Sequence, residues 1–326
     1  MFITAASTIS YQHTFRNKGF AAALVEINDS SNLITPDYSG FIAAMDRRRM
    51  SHVQKMSIAC ALDCVQQANI EQPDAIIVGT SMGCSINTKN FLDKILEAKE
   101  GPLSPTSFIV STHNTIAGQI ALLMKNHGYN MTHTQNSLSF EQALVDAMLC
   151  CEEGLTNVLV GGTDEEEDSI YNMRERLKND KIRLTSGASF FIVSNKDTEK
   201  SAVNIVDAGS FGLVKNSEEL MLSFLKNNRM NLQELDLVLY AISDQNKLHY
   251  LKTAFGYERL FDYQQVAGTY YTNSAFAMHY AIDILTNQPH PIFGKRKTVL
   301  VYNNLIPENL GLILLRSKNE GNEVTK

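Results

Sequence analysis

The 326-residue chain carries 29 Lys+Arg against 35 Asp+Glu, a net charge of −6, with 44% hydrophobic residues and no Trp. At roughly 100–200 residues per domain this length holds two domains or one large duplicated one, with ample apolar material for a core. An acidic balance without a basic stripe excludes a typical nucleic-acid surface, whose affinity comes from clustered Lys and Arg neutralising phosphates.

The opening MFITAASTISYQHTF lacks the cationic flank and apolar stretch of a signal peptide. No run approaches the roughly 18 apolar residues of a membrane span, so a cytoplasmic protein is expected. In chain order, the spacing of apolar residues predicts helices over 50–67, 86–99, 115–126, 140–153, 218–227, 247–255 and 275–286. Short apolar runs read as strands fall at 75–79, 158–161, 188–193, 237–241, 299–302 and 310–315. Their alternation is the pattern of α/β proteins with helices covering sheets.

The helix after Ser139 is the best punctuated. Ser139 with Gln142 has capping-box spacing, Gly154 supplies a stop, and Phe140, Ala143, Leu144, Ala147, Met148 and Cys151 make one apolar stripe. The helix over 275–285 is apolar nearly all round apart from His279 and Asp283, which predicts burial between layers. The order strand, helix, Ser-led helix, strand, strand then occurs twice, and both Ser-led helices follow an Asn, in Asn136-Ser137 and Asn273-Ser274. An internal duplication is expected, with the polar stretch Ser194–Ser201 dividing residues 1–197 from 198–326.

Several polar features have bland readings beside sharper ones. The odd number of cysteines (Cys60, Cys64, Cys84, Cys150, Cys151) in apolar contexts reads as buried thiols, and Cys150-Cys151 lacks zinc spacing. No metal is expected. The acidic run Asp164–Asp168 reads as a solvated face, since no second oxygen-rich cluster accompanies it for a hard cation. Ser137 is read as a packing residue, the alternative being a nucleophile with His113 or His133 as its base. Glu141 lies in a first helical turn, where the dipole favours an acid regardless of chemistry. His279 reads as a hydrogen-bonded core residue. Arg47, Arg48 and Arg49 fit either a solvated helix start or a contact with an acidic partner.

The segments IIVGTSMGCSINTKNFL, PTSFIVSTHNTIAGQIALLM, SFEQALVDAMLCCEEGLTNVLVGGTDE and TSGASFFIVS, in this order, resemble the N-terminal half of a β-ketoacyl-(acyl carrier protein) synthase, as does DRRRMSHVQKMSIACA. The resemblance covers residues 40–195 well and the remainder weakly. It implies the thiolase fold, an α/β architecture of duplicated halves in five alternating α-β-α-β-α layers. It also implies a cysteine nucleophile at the head of the buried helix in the first half, and two histidines and a lysine in the second. The register places Asn136 or Ser137 at the cysteine, Ile242 or Ser243 at the first histidine, Thr269 at the lysine and Ser274 at the second histidine. The closing Gly-rich loop is replaced by YNNLIPENLG (Tyr302–Gly311).

Within the family this state resembles the chain length factor, a synthase-like subunit without its cysteine that pairs with an intact ketosynthase. The stretch HTQNSLSFEQALVDA is most similar to the flexirubin or aryl-polyene branch of pigment biosynthesis. The resemblance implies no cofactor of its own, the phosphopantetheine arriving on an acyl carrier protein, and either a heterodimer with a ketosynthase or a homodimer. It implies an interface near Ser111, Thr112, His113 and Asn114, and a tunnel lined by Tyr270, Tyr271 and Phe140. The alternative function is an active acyltransferase or malonyl decarboxylase of the same fold with altered catalytic residues.

Overall fold

The computed structural model describes residues 1–98, 101–166, 184–199 and 201–318. In the first half the elements are β1 (Phe2–Ile9), α1 (Ala44–Arg47), α2 (His52–Ala68), β2 (Ala75–Gly79), α3 (Ser85–Ala98), α4 (Pro105–Ile109), α5 (Thr115–Met124), β3 (Tyr129–His133), α6 (Ser139–Glu152), β4 (Asn157–Asp164) and β5 (Gly187–Ser194). The second half contains β6 (Val203–Phe211), α7 (Ser217–Asn227), β7 (Leu237–Ile242), α8 (Gln245–Phe255), β8 (Leu260–Asp262), α9 (Gln264–Ala267), α10 (Ser274–Thr286), β9 (Thr298–Asn304) and β10 (Leu310–Ser317).

Every strand and helix expected from the sequence is present, with ends shifted by a few residues; Lys99, the expected end of α3, lies outside the described residues. Four strands were not expected, and each has a physical reason. β3 and β8 are edge strands without a buried apolar run. β6 places only Val203, Ile205 and Gly209 in the buried class. β1 contains Thr and Ser at buried positions, and these are satisfied by distant partners: Ser7 Oγ donates to Asp63 (2.7 Å) and Thr8 Oγ1 to Ser189 Oγ (2.8 Å).

The strands run in the order β3-β2-β4-β5-β1-β6-β10-β9-β7-β8. Numbered within each half, both halves have the order 3-2-4-5-1, with the same parallel and antiparallel pairings. The duplication read from the sequence is therefore one of topology. The halves meet where β1 pairs with β6 over only Phe2↔Asn204 and Ile3↔Val203.

Alternation along the strands divides the interior into three apolar layers. Ala75, Ile77, Val158, Val160, Leu237, Leu239, Val299 and Val301 face one cluster shared by both halves, which also holds the apolar sides of α6 and α10. Ile76, Val78 and Leu159 face a second cluster under α2 and α5. Val238, Leu300, Leu312 and Leu314 face a third under α7 and α8. The result is the expected succession of five α and β layers, with α6 and α10 in the middle.

On α6 the expected stripe is buried at Phe140, Ala143, Leu144, Ala147 and Cys151, and Met148 packs against the same cluster. The expected Ser139 capping box is corrected. The N-cap is Leu138, and Ser139 Oγ donates to Asn136 O (2.7 Å) and accepts from Gln135 N (2.9 Å), so it ties the preceding turn. α6 approaches β2 so closely that a Cβ on Gly79 would lie 2.3 Å from Ser139 O; only glycine fits there. All five cysteines are free and buried, and burial pushes the Cys151 thiol up to about 11, so none is poised to react. Among the described residues no helix is long and apolar enough to cross a membrane, and no cluster of His, Cys, Asp and Glu is placed to hold a metal.

Candidate functional site

β3 runs through Thr134 and Gln135 into a single 3-10 turn, Asn136–Leu138, which feeds α6. Asn136 adopts the left-handed conformation (φ 57°), which Asn tolerates better than most residues. Its side chain is exposed, whereas Ser137 beside it is buried. The second half holds this turn from behind. Asn303, at the end of β9, donates through Nδ2 to both Ser137 O (2.7 Å) and Glu141 Oε1 (2.8 Å), and Asn309 Nδ2 donates to Ser137 Oγ (3.1 Å).

Glu141 is fully buried on the first turn of α6. Its carboxyl fits only because residue 311 is glycine; a Cβ there would stand 2.5 Å from Oε1. Burial pushes its pKa up to about 7, opposed by the hydrogen bond from Asn303. Among the described residues Glu141 Oε2 and Ser274 Oγ have no partner at hydrogen-bond distance. Glu141 therefore titrates well above the ordinary carboxylate range.

In front of the turn lies a cleft of about 420 Å³ lined by Gln135, Asn136, Leu138, Gln142, Ser210 and Asn309 among others. Its walls are amides and hydroxyls, suited to hydrogen-bonding a carbonyl or amide. An amide at Asn136 is no acyl acceptor. Ser137 Oγ points to Asn309, and neither candidate base pairs with it. His133 Nε2 is 2.8 Å from Asp146 Oδ2, and His113 Nδ1 accepts from Cys84 N (3.3 Å).

The structure brings Asn136, Ser137 and, through Glu141, Ser274 into one neighbourhood. Ile242 is half-buried at the end of β7, beside Asn304 of β9, and Ser243 is exposed. Thr269 is buried, its carbonyl accepting from Thr185 N (3.0 Å) and its hydroxyl from Gln264 (3.2 Å). Phe140 is enclosed in the central layer against Phe191. Tyr270 is buried against Gly187, and Tyr271 is half-buried. Ser111 is buried, His113 half-buried, and Thr112 and Asn114 exposed, in the segment between α4 and α5.

The solvated reading of the acidic run is corrected at Asp164; Glu167 and Asp168 lie outside the described residues. Asp164 is fully buried and accepts five hydrogen bonds, from Thr80 Oγ1, Ser81 N and Met82 N in the first half and from Thr272 N and Oγ1 in the second (2.7–3.0 Å). Burial raises its pKa while the donors pull the other way. Sequence reading also missed Asn303 and Asn309; the only signal was amides in the altered closing loop.

One outer face is apolar. β3 is the terminal strand of the sheet, and Tyr129 and Met131 on it are exposed. Phe108 and Ile109 of α4 are each 59% exposed and Leu122 of α5 is 70% exposed. α5 links these elements, since Thr115 Oγ1 donates to Ile109 O and Asn130 Nδ2 to Ala117 O.

Comparison with known proteins places this architecture. No curated protein sequence matches the chain. Among solved structures, the ishigamide ketosynthase/chain length factor superposes with a TM-score of 0.74 at 14% identity, over 97% of this chain and 99% of that one. A ketosynthase in complex with its chain length factor from Xenorhabdus doucetiae superposes with a TM-score of 0.72 at 11% identity, over 97% of both chains. A β-ketoacyl synthase from Burkholderia phymatum superposes with 0.73 at 13% identity, over 97% and 98%. At these identities the likeness is one of fold. The family model described as β-ketoacyl synthase, N-terminal domain, matches residues 26–249, well over half of the chain, and the chain belongs to that family.

Proposed function

We propose that this chain is a non-condensing β-ketoacyl synthase-like subunit of the chain-length-factor type. It pairs with an intact ketosynthase in a fatty-acid or polyketide-type pathway of the pigment kind, fed by an acyl carrier protein that brings the phosphopantetheine. The observation that supports this reading is the head of α6, where the turn Asn136–Leu138 presents an exposed amide, Asn136, beside a buried hydroxyl, Ser137, and contains no thiol. The partner surface in this reading is the β3 edge with Tyr129 and Met131 and the adjoining Phe108, Ile109 and Leu122. Unpaired strand edges and contiguous apolar patches are what proteins cover by association. Light scattering on the chain co-expressed with the ketosynthase of its source should give a one-to-one complex. Phe108→Asp with Met131→Asp should release the monomer. A chain that stays monomeric beside the ketosynthase, or a double variant that still assembles, would refute the pairing.

Glu141 favours a second reading, an acyltransferase or malonyl decarboxylase with altered residues. A buried carboxyl with a pKa of about 7 is a competent proton carrier. It lies behind the Ser137 turn, joined to it by Asn303, so it would have to act through that network.

A further inference from the structure

The sheet face that carries Leu300 and Leu314 changes character one row on. There Arg316 of β10 lies between Thr298 of β9 and Asn204 of β6, and a cavity of about 800 Å³ opens where the apolar cluster ends. It sits at the end of α10 remote from the candidate site: from Ser274 to Thr286, which lines the cavity, the helix rises about 18 Å. Met230 and Leu285 supply apolar wall, and Arg296, from the segment before β9, joins Arg316. Gln288 Nε2 donates to Arg296 O and Leu285 O, which ties that segment to the end of α10.

Charge at this cavity is one-sided. Lys295, Arg296, Lys297, Arg316 and Lys318 line it against a single carboxylate, Glu234, which accepts from Asn231 N (2.8 Å). Two acids stand nearby, and both are engaged. Asp197 pairs with Lys318, and Asp236 accepts from Lys297 N (2.8 Å) and Thr298 N (2.9 Å). Lys295 and Lys297 have contacts of their own. The two arginines do not: Arg316 reaches only Met230 Sδ (3.3 Å), a weak acceptor, and Arg296 Nε is buried without a hydrogen-bond partner. Neither guanidinium has a carboxylate at ion-pair distance among the described residues. Two such forks match the several oxygens of a phosphate dianion, whereas one carboxylate would leave a fork unmatched. The cavity has the size of a small-molecule site.

We propose that this cavity binds a phosphorylated small organic molecule, its phosphate between Arg296 and Arg316 and its organic part against Met230 and Leu285. The site is separate from the amide-lined cleft at Asn136 and does not depend on the function proposed above.

Calorimetric titration of the full chain with phenyl phosphate should show one saturable site, weakened by added sodium chloride. Arg316→Gln and Arg296→Gln should each weaken it at least tenfold, and Arg316→Lys, which keeps the charge without the fork, at least threefold. Benzoate, the ring with one carboxylate, and inorganic phosphate, the anion without the ring, should each bind at least threefold more weakly than phenyl phosphate. Arg48→Gln, which removes an exposed charge outside the cavity, should leave the affinity within twofold. Because Arg316 is exposed, its variants keep the fold, verified by an unchanged thermal midpoint, and they decide the question if Arg296→Gln fails to fold. Absence of saturable binding, binding indifferent to Arg316→Gln, an equal loss on Arg48→Gln, or benzoate or inorganic phosphate matching phenyl phosphate would overturn the proposal.

Discussion

Replacing Asp164 with Ala should destabilise the protein by about 4 kcal/mol, measured as a fall in the urea midpoint at constant m-value. The estimate rests on orphaned donors, since leaving a buried donor unsatisfied costs roughly 1–3 kcal/mol. Asp164 serves five, on Thr80, Ser81, Met82 and Thr272. Ser81 and Met82 are only partly buried, so water recovers part of their loss. The contacts on Thr272 are fully buried and join one half to the other. Asp164→Asn should cost roughly half as much, because its oxygen still accepts while its NH₂ meets donors. A loss below about 1 kcal/mol for Asp164→Ala would show that the loops at Thr80 and Thr272 are held by something else.

Glu141→Gln should act in the opposite direction, stabilising the protein in alkaline solution. The folded carboxyl has a pKa of about 7, against an ordinary value of 4.5. Between those values the folded chain keeps a proton that the unfolded chain has released, so stability falls as pH rises through that window. The full loss above pH 7 is about 3 kcal/mol. Tyr263, the other titratable group that feels this carboxylate, stays neutral throughout, since burial and Glu141 both raise its pKa. Gln keeps an acceptor for Asn303, offers a donor to the unpartnered Ser274 hydroxyl, and carries no charge. Urea unfolding from pH 5 to pH 8 should therefore show the stability of Glu141→Gln gaining steadily on that of the native chain as pH rises, the two differing most at pH 8. Parallel pH profiles would mean that Glu141 ionises normally.

Much of the fold is legible in the sequence because it rests on local periodicity. The α6 stripe from Phe140 to Cys151, the all-round apolar α10 and the short runs of β2, β7 and β9 each announce their own burial. What the sequence hides is satisfied at a distance. β1 looks too polar for an interior strand until Asp63 and Ser189 are seen to receive its hydroxyls. Asp164 looks like the start of a solvated acidic run because its donors lie 82 to 84 residues before it and 108 after it. Ser139 has capping spacing, yet the preceding turn takes its hydroxyl, since Asn136 is left-handed and aims its carbonyl there.

The candidate site divides along the same line. Asn136 and Ser137 can be placed by counting along the chain, because α6 and β4 have fixed lengths on either side. The partners that define their chemistry cannot. Asn303 and Asn309 reach Ser137 across 166 and 172 residues, and the space for Glu141 comes from Gly311 on β10. These groups turn the head of α6 into an amide-lined cleft with no thiol.

A non-condensing subunit should take no acyl group onto its own side chains. The most direct test is the intact mass of the purified protein after exposure to acyl- and malonyl-loaded acyl carrier protein, with released carrier products followed and an active ketosynthase beside it. The predicted result is an unchanged mass and no decarboxylation for this chain, with a covalent acyl adduct and malonyl loss seen for the control. A covalent adduct, or malonyl loss lowered by Ser137→Ala or Glu141→Gln, would contradict the non-condensing reading and make the chain an enzyme in its own right.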